Sequence, residues 1–142
     1  MKKAVLAGGS GFLGQALARS LSADGYDVVV LGRSLAPRGA SGRFVVWDGR
    51  KLGDWKSELE GAEALFNLTG RSVDCRYTKE NRDLILNSRV DSTQVLGQAV
   101  QGCADPPKVW LNSSTATIYK DRRGDLEPHD ESSDDFGSGF SV

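Results

Sequence analysis

The chain has 142 residues, a formal net charge of −1 and a hydrophobic content of 39%. That is enough for one buried core, and 18 basic against 19 acidic side chains argue against a nucleic-acid or membrane-surface binder. No apolar run reaches a membrane span, and glycines interrupt the N-terminal run that a signal peptide would need, which predicts a cytoplasmic protein.

Residues 3–7 (KAVLA) read as a short strand, and GGSGFLG then opens a helical pattern that runs to about Asp24. Phe12, Leu13, Ala16, Leu17 and Leu21 recur on one face at helical spacing, and Gly25 supplies the stop. DVVVLGR (27–33) is a continuous apolar run of the kind buried on both faces of a parallel sheet. RFVVWD (43–48) is a third strand, WKSELEGA a short helix, and EALFNLTG (63–70) a fourth strand. Thr78 caps a long amphipathic helix to about Cys103, with Leu84, Ile85, Val90, Val95, Leu96 and Val100 as its apolar stripe. PPKVWLNSST (106–115) is a fifth strand. This alternation predicts βαβ units and a doubly wound parallel α/β sheet of order 3-2-1-4-5, in a domain spanning 1–119. Residues 120–142 read as a polar tail without an element, and His129 within it has no evident partner. Cys75 and Cys103 are far apart and outside any CxxC pair, so they read as free thiols of a reducing compartment.

GGSGFLG carries the sharpest chemistry. Gly9, Gly11 and Gly14 satisfy Gly-x-Gly-x-x-Gly, while Gly8, Gly11 and Gly14 satisfy Gly-x-x-Gly-x-x-Gly. Absent Cβ atoms permit the tight turn and let a pyrophosphate approach the backbone, and the helix N-terminus offers unpaired N–H groups to it. The end of the second strand selects the dinucleotide. An NAD site has an acid about 20 residues beyond the glycines. Here Arg33 and Ser34 stand there instead, and Asp27 lies at the wrong end of the strand. A guanidinium and a hydroxyl suit a 2′-phosphate, so NADP is expected ahead of NAD. One such charge-assisted contact contributes about 1.5–3 kcal/mol, and the other reading of Arg33 is a solvated loop arginine. Asp48 closes the third strand, where it either reaches an adenine amino group or forms the turn in WDGR. Leu68, Thr69 and Gly70 end the fourth strand at the carboxyl edge, where open α/β sheets bind ligands.

GGSGFLG, GRS, NLTG, RYTKENRDLILNSRVDSTQVL and SSTATIY, in this order, resemble the NAD(P)-dependent epimerase/dehydratase group of the short-chain dehydrogenase/reductase superfamily. The resemblance covers nearly the whole chain and is nearest to the atypical branch called the epimerase family, described as nucleoside-diphosphate-sugar epimerases. It implies a Rossmann fold and a nicotinamide dinucleotide bound across Gly8, Gly9, Ser10, Gly11, Phe12, Leu13 and Gly14. Its substrate class is a nucleotide sugar or another hydroxyl-bearing metabolite. Matching Tyr119 to the family's loop tyrosine places the catalytic hydroxyl on Thr115, with Ser113 and Ser114 just before it. Arg89 takes the place of an Asn that faces the cofactor in sugar epimerases, and Arg76 is placed to meet an anionic substrate. For both arginines a solvated surface role is the other reading.

The family's Tyr-x-x-x-Lys would begin about two dozen residues after Thr115, and 25 residues on the chain has Phe140. A phenyl ring neither donates nor accepts a proton, and the lysine four positions later falls beyond the last residue. The resemblance therefore implies a cofactor-binding part without turnover of its own. It also implies a sheet truncated before a sixth strand, whose edge at VWLNSST invites self-association. The reading from a different class is a non-catalytic NADP(H)-sensing or protein-interaction module, which needs the glycine loop but no acid–base pair.

Overall fold

Alternation in the first strand sets the architecture. β1 (Lys3–Ala7) sends Ala4 and Leu6 to one face and Val5 and Ala7 to the other, and all four side chains are fully buried. The computed structural model describes residues 1–36, 38–115, 118–121, 124 and 127–137. In it, β1 is flanked by β2 (Asp27–Gly32) and β4 (Ala64–Asn67), with β3 (Arg43–Val46) and β5 (Val109–Asn112) outermost. The five strands are parallel in the order β3-β2-β1-β4-β5, a Rossmann-like sheet of the class and order expected from the sequence.

Helix α1 (Phe12–Ala23) covers Ala4, Leu6, Val28 and Val30, while α2 (Lys79–Gln101) covers Val5, Ala7, Val29 and Leu31 on the opposite face. The short helix is a 3-10 segment, Asp54–Leu59, whose Trp55 meets Trp47 edge-on at 5.2 Å within the α2-side core. Both helix ends follow their sequence signals. Tyr26 N–H donates to Leu21 O at 3.0 Å and Gly25 N–H to Ser22 O at 3.1 Å, a Schellman closure that uses φ +80° at Gly25. Thr78 Oγ1 accepts from Asn81 N–H at 3.2 Å.

The apolar stripes differ from the sequence reading in rotation. Phe12 and Leu13 are 88% and 68% exposed, and Ala16 is exposed too; Gly14 and Ala18 face the sheet instead. The cause is the close approach of α1 to the turn after β1, which only Gly14 allows. On α2, Val90 is exposed while Ser92 is buried, because the face against the sheet runs through Ile85, Ser92, Val95, Leu96 and Ala99. Ser92 tolerates burial by donating its hydroxyl to Arg89 O at 3.1 Å.

The described part of the tail is not without partners. Tyr119 forms an isolated antiparallel bridge with Phe136, and its ring stacks on His129 at 4.9 Å and on Phe136 at 6.0 Å. His129 Nε2, within 2.8 Å of the Lys120 carbonyl, donates to it. The polar composition of the tail hides these three aromatic rings, which are distant in sequence and meet only in the fold.

The outer strand β5 has every residue exposed. Its register sets Val109 opposite Ala64 and Leu111 opposite Phe66, on the α1 side of the sheet, where they remain 51% and 48% exposed. Among the described residues no strand pairs with its far edge. An apolar edge of this kind recruits another chain, at roughly 25 cal/mol per Å² of apolar surface covered. The expected result is a light-scattering mass that rises with protein concentration and stays monomeric in Leu111→Lys. A concentration-independent monomer would contradict it.

Candidate binding cleft at the carboxyl edge of the sheet

A cleft of about 580 Å³ opens over the carboxyl ends of β1, β2, β3 and β4. Its floor is the glycine turn between β1 and α1. Gly8 has φ +72°, and a Cβ there would lie 2.9 Å from the Thr69 backbone. A Cβ on Gly9 would come within 2.8 Å of Leu6 Cβ, and one on Gly14 would meet the Gly9 backbone. Gly11 differs: among the described residues a Cβ there would meet nothing beyond its chain neighbours within 4 Å, and its φ of −83° suits any residue. It borders the cleft at the head of α1, where no side chain caps the helix. The protein's own packing thus accounts for three glycines of the motif, and Gly11 is the one of the four with open space beside it. Gln15, which sequence reasoning overlooked, braces the turn by donating to Gly9 O at 3.0 Å and accepting from Ser41 N–H at 2.8 Å.

Ser10 and Arg33 also border the cleft; Ser34 is exposed just beyond it. Trp47 N–H donates to Gly32 O at 2.9 Å, so the segment leaving β2 runs beside the segment leaving β3. Asp48 satisfies the turn reading, since its Oδ1 accepts from Arg50 N–H at 2.8 Å and Lys51 N–H at 2.9 Å. Those backbone donors, Lys51 foremost and then Arg50, hold the Asp48 carboxyl below the usual carboxylate range. It borders the cleft as well, and both bonds use one oxygen.

At the end of β4, buried Asn67 donates through Nδ2 to Asn112 Oδ1 at 2.7 Å and to Thr93 Oγ1 at 3.2 Å. Its Oδ1 accepts from Thr69 N–H at 3.1 Å, so this side chain ties β4, β5 and α2 together and shapes the Leu68–Gly70 turn. Leu68, Thr69 and Gly70 all border the cleft. Thr69 Oγ1 is buried and finds no hydrogen-bond partner among the described residues. An orphaned hydroxyl of this kind costs about 1–3 kcal/mol.

Other expected site residues lie elsewhere. Arg89 does not border the cleft; it donates to Arg71 O at 3.2 Å and Ile85 O at 3.1 Å, and its guanidinium packs where Gly70 leaves room. It fixes the loop after β4 from behind. The side chains of Phe12 and Leu13 are exposed on α1 and do not line the cleft, while their backbone N–H groups belong to the first turn of the helix. Ser113 continues past β5 by donating N–H to Asn67 O at 2.9 Å; Ser113, Ser114 and Thr115 are exposed and do not border the cleft. Phe140 lies outside the described residues.

The opposite wall was missed by sequence reasoning. Leu84, Ser88 and Asp91 of α2 face the cleft at spacings of four and three, one helical face that could have been read beside the apolar stripe. Ser88 Oγ accepts from Arg71 N–H at 2.9 Å, which places Arg71 in the same wall. Among the described residues no cluster of three metal-ligating side chains occurs, and no helix is long and apolar enough to cross a membrane.

This cleft fits a dinucleotide: an open glycine at a helix N-terminus and basic groups at the strand ends. A sequence model of the NAD dependent epimerase/dehydratase family matches residues 4–138. The chain is similar to the human epimerase family protein SDR39U1, with 29% identity over 121 residues, 83% of this chain and 38% of the relative. It is also similar to the epimerase family protein YfhF of Bacillus subtilis, with 30% identity over 115 residues, 80% of this chain and 38% of the relative. The crystal structure of human SDR39U1 (isoform 2) with NADPH superposes with a TM-score of 0.68 at 27% identity, covering 83% of this chain and 38% of that one. MoeE5 in complex with UDP-glucuronic acid and NAD gives a TM-score of 0.71 at 25% identity, covering 87% and 40%. The chain thus spans about two fifths of the length of these relatives.

Proposed function

Because the chain belongs to the NAD dependent epimerase/dehydratase family, we propose that its cleft binds NADP(H), as the cofactor-binding part of an epimerase-like oxidoreductase. The observation that carries this reading is Gly11, whose missing side chain serves no contact within the protein and opens the helix N-terminus to the cleft. The pyrophosphate would sit there, facing the free N–H groups of the first turn of α1. Leu68, Thr69 and Gly70 would line the bound dinucleotide, Asp48 would accept from the adenine amino group, and Arg33 with Ser34 would hold the 2′-phosphate. Bound nicotinamide would supply hydride exchange. Thr115 would polarise the substrate oxygen, at the end of a segment running from β5 through Ser113 and Ser114. A nucleotide sugar is the proposed substrate class, supported by the UDP-sugar acid bound by MoeE5. Residues 1–119 would form the cofactor-binding domain, with 120–142 leading toward the substrate side.

Arg33 decides between the two dinucleotides. NADPH is expected to bind more tightly than NADH, and Arg33→Asp to weaken NADPH about tenfold or more while leaving NADH little changed. Calorimetric titration of both cofactors against both proteins measures this, and equal affinities in the unaltered chain would overturn the NADP assignment. A second reading, a module that senses NADP(H) without turnover, is favoured by Phe140, which offers no proton at the position of the family's tyrosine. Sugar-dependent nicotinamide oxidation or reduction that disappears in Thr115→Val would exclude it.

A further inference from the structure

We infer that Arg50 is a second ligand for the 2′-phosphate, held in reserve by Asp91 across the cleft; this rests on the cleft binding NADP(H). Arg50 Nε lies 3.5 Å from Asp91 Oδ2, and both residues border the cleft. Three contacts place the loop that carries Arg50 between the segment after β2 and α2, at the proposed adenosine end. The Trp47 N–H to Gly32 O bond sets the segment after β2, with Arg33, beside the segment after β3. Asp48 Oδ1 then captures the Arg50 N–H and closes the turn that carries Arg50. The loop also rests on α2, since a Cβ on Gly49 (φ +72°) would come within 4.0 Å of Ser92 Cβ. Asp91 immediately precedes Ser92, so the loop delivers Arg50 to it.

The pair is easily exchanged. Its side chains are 62% and 37% exposed, and an exposed pair at this distance holds its partners weakly. A phosphate dianion offers more charge than a carboxylate and matches the guanidinium fork. On this account Arg50 leaves Asp91 for the 2′-phosphate, and Asp91 is a competitor that lowers the affinity for NADPH. NADH lacks that phosphate and leaves the pair intact. Arg33, just past β2, would contact the same group, so the two arginines would bracket it.

The test is titration of NADPH and NADH into the 142-residue chain and into Arg50→Gln and Asp91→Asn, followed by nicotinamide fluorescence. Arg50→Gln is expected to weaken NADPH about five- to tenfold and NADH less than about twofold. Asp91→Asn is expected to tighten NADPH roughly threefold through loss of the competing charge. Equal losses for both nucleotides in Arg50→Gln would overturn the 2′-phosphate role and leave the cleft as the dinucleotide site. Weaker NADPH binding in Asp91→Asn would overturn the competition. Failure of the unaltered chain to bind either nucleotide would remove the reading of the cleft itself.

Discussion

Gly14→Ala is expected to destabilise the chain by about 3 kcal/mol or more, a large part of the roughly 5–15 kcal/mol that holds an ordinary domain folded. The added methyl would meet Gly9 Cα and O across the tightest approach in the glycine turn. Neither side has room to yield. Gly9 is packed between Leu6 and Val30, two buried members of the α1-side core, and Gly14 is buried on the helix face that rests on the sheet. Helix propensity alone predicts the opposite sign, since alanine inside a helix is favoured over glycine by about 1 kcal/mol. Urea denaturation separates the two. A midpoint that falls sharply supports the steric account, and one that stays or rises would show that α1 can lift from the turn at little cost.

What could be read in advance was what neighbouring residues encode together. The turn chemistry of GGSGFLG, the stop at Gly25 and the cap at Thr78 each lie within a few consecutive residues, and all are found in place. The double burial of β2 was legible because a continuous apolar run has few other uses in an α/β chain. The rotation of the helices was not. Hydrophobicity ranks Phe12 and Leu13 above Gly14 and Ala18, yet it is the closeness of two backbones at Gly9 and Gly14 that decides which face turns inward. The same holds for Ser92 over Val90 on α2, where a hydroxyl satisfied inside its own helix occupies a small buried space. The cleft wall was the least legible part. Arg50 and Asp91 are 41 residues apart, and only the loop after β3 lying on α2 makes them neighbours. Thr69 was identified from its place at the end of a strand, but its orphaned hydroxyl is a property of the fold alone.

Gly11→Asp is expected to separate stability from binding by moving them in opposite directions. Gly11 is the N-cap of α1, in the extended conformation that a capping aspartate adopts, with open space where the side chain would go. No side chain now caps this helix, and no acidic residue lies in its first turn. Aspartate would accept from an unpaired N–H and place negative charge at the positive end of the helix, a gain of about 0.5–1 kcal/mol. The unliganded chain should therefore unfold at a slightly higher temperature. Yet the carboxylate would occupy the space proposed for the pyrophosphate and oppose its charge. Two unit charges about 4 Å apart repel by about 4 kcal/mol at the effective dielectric of a protein surface. NADPH and NADH should both weaken by a hundredfold or more, in contrast to Arg33→Asp, which acts on NADPH chiefly. Scanning calorimetry of the free chain and titration with both nucleotides measure the two halves. A variant that is more stable and still binds either nucleotide with unchanged affinity would place the phosphates elsewhere than at the head of α1.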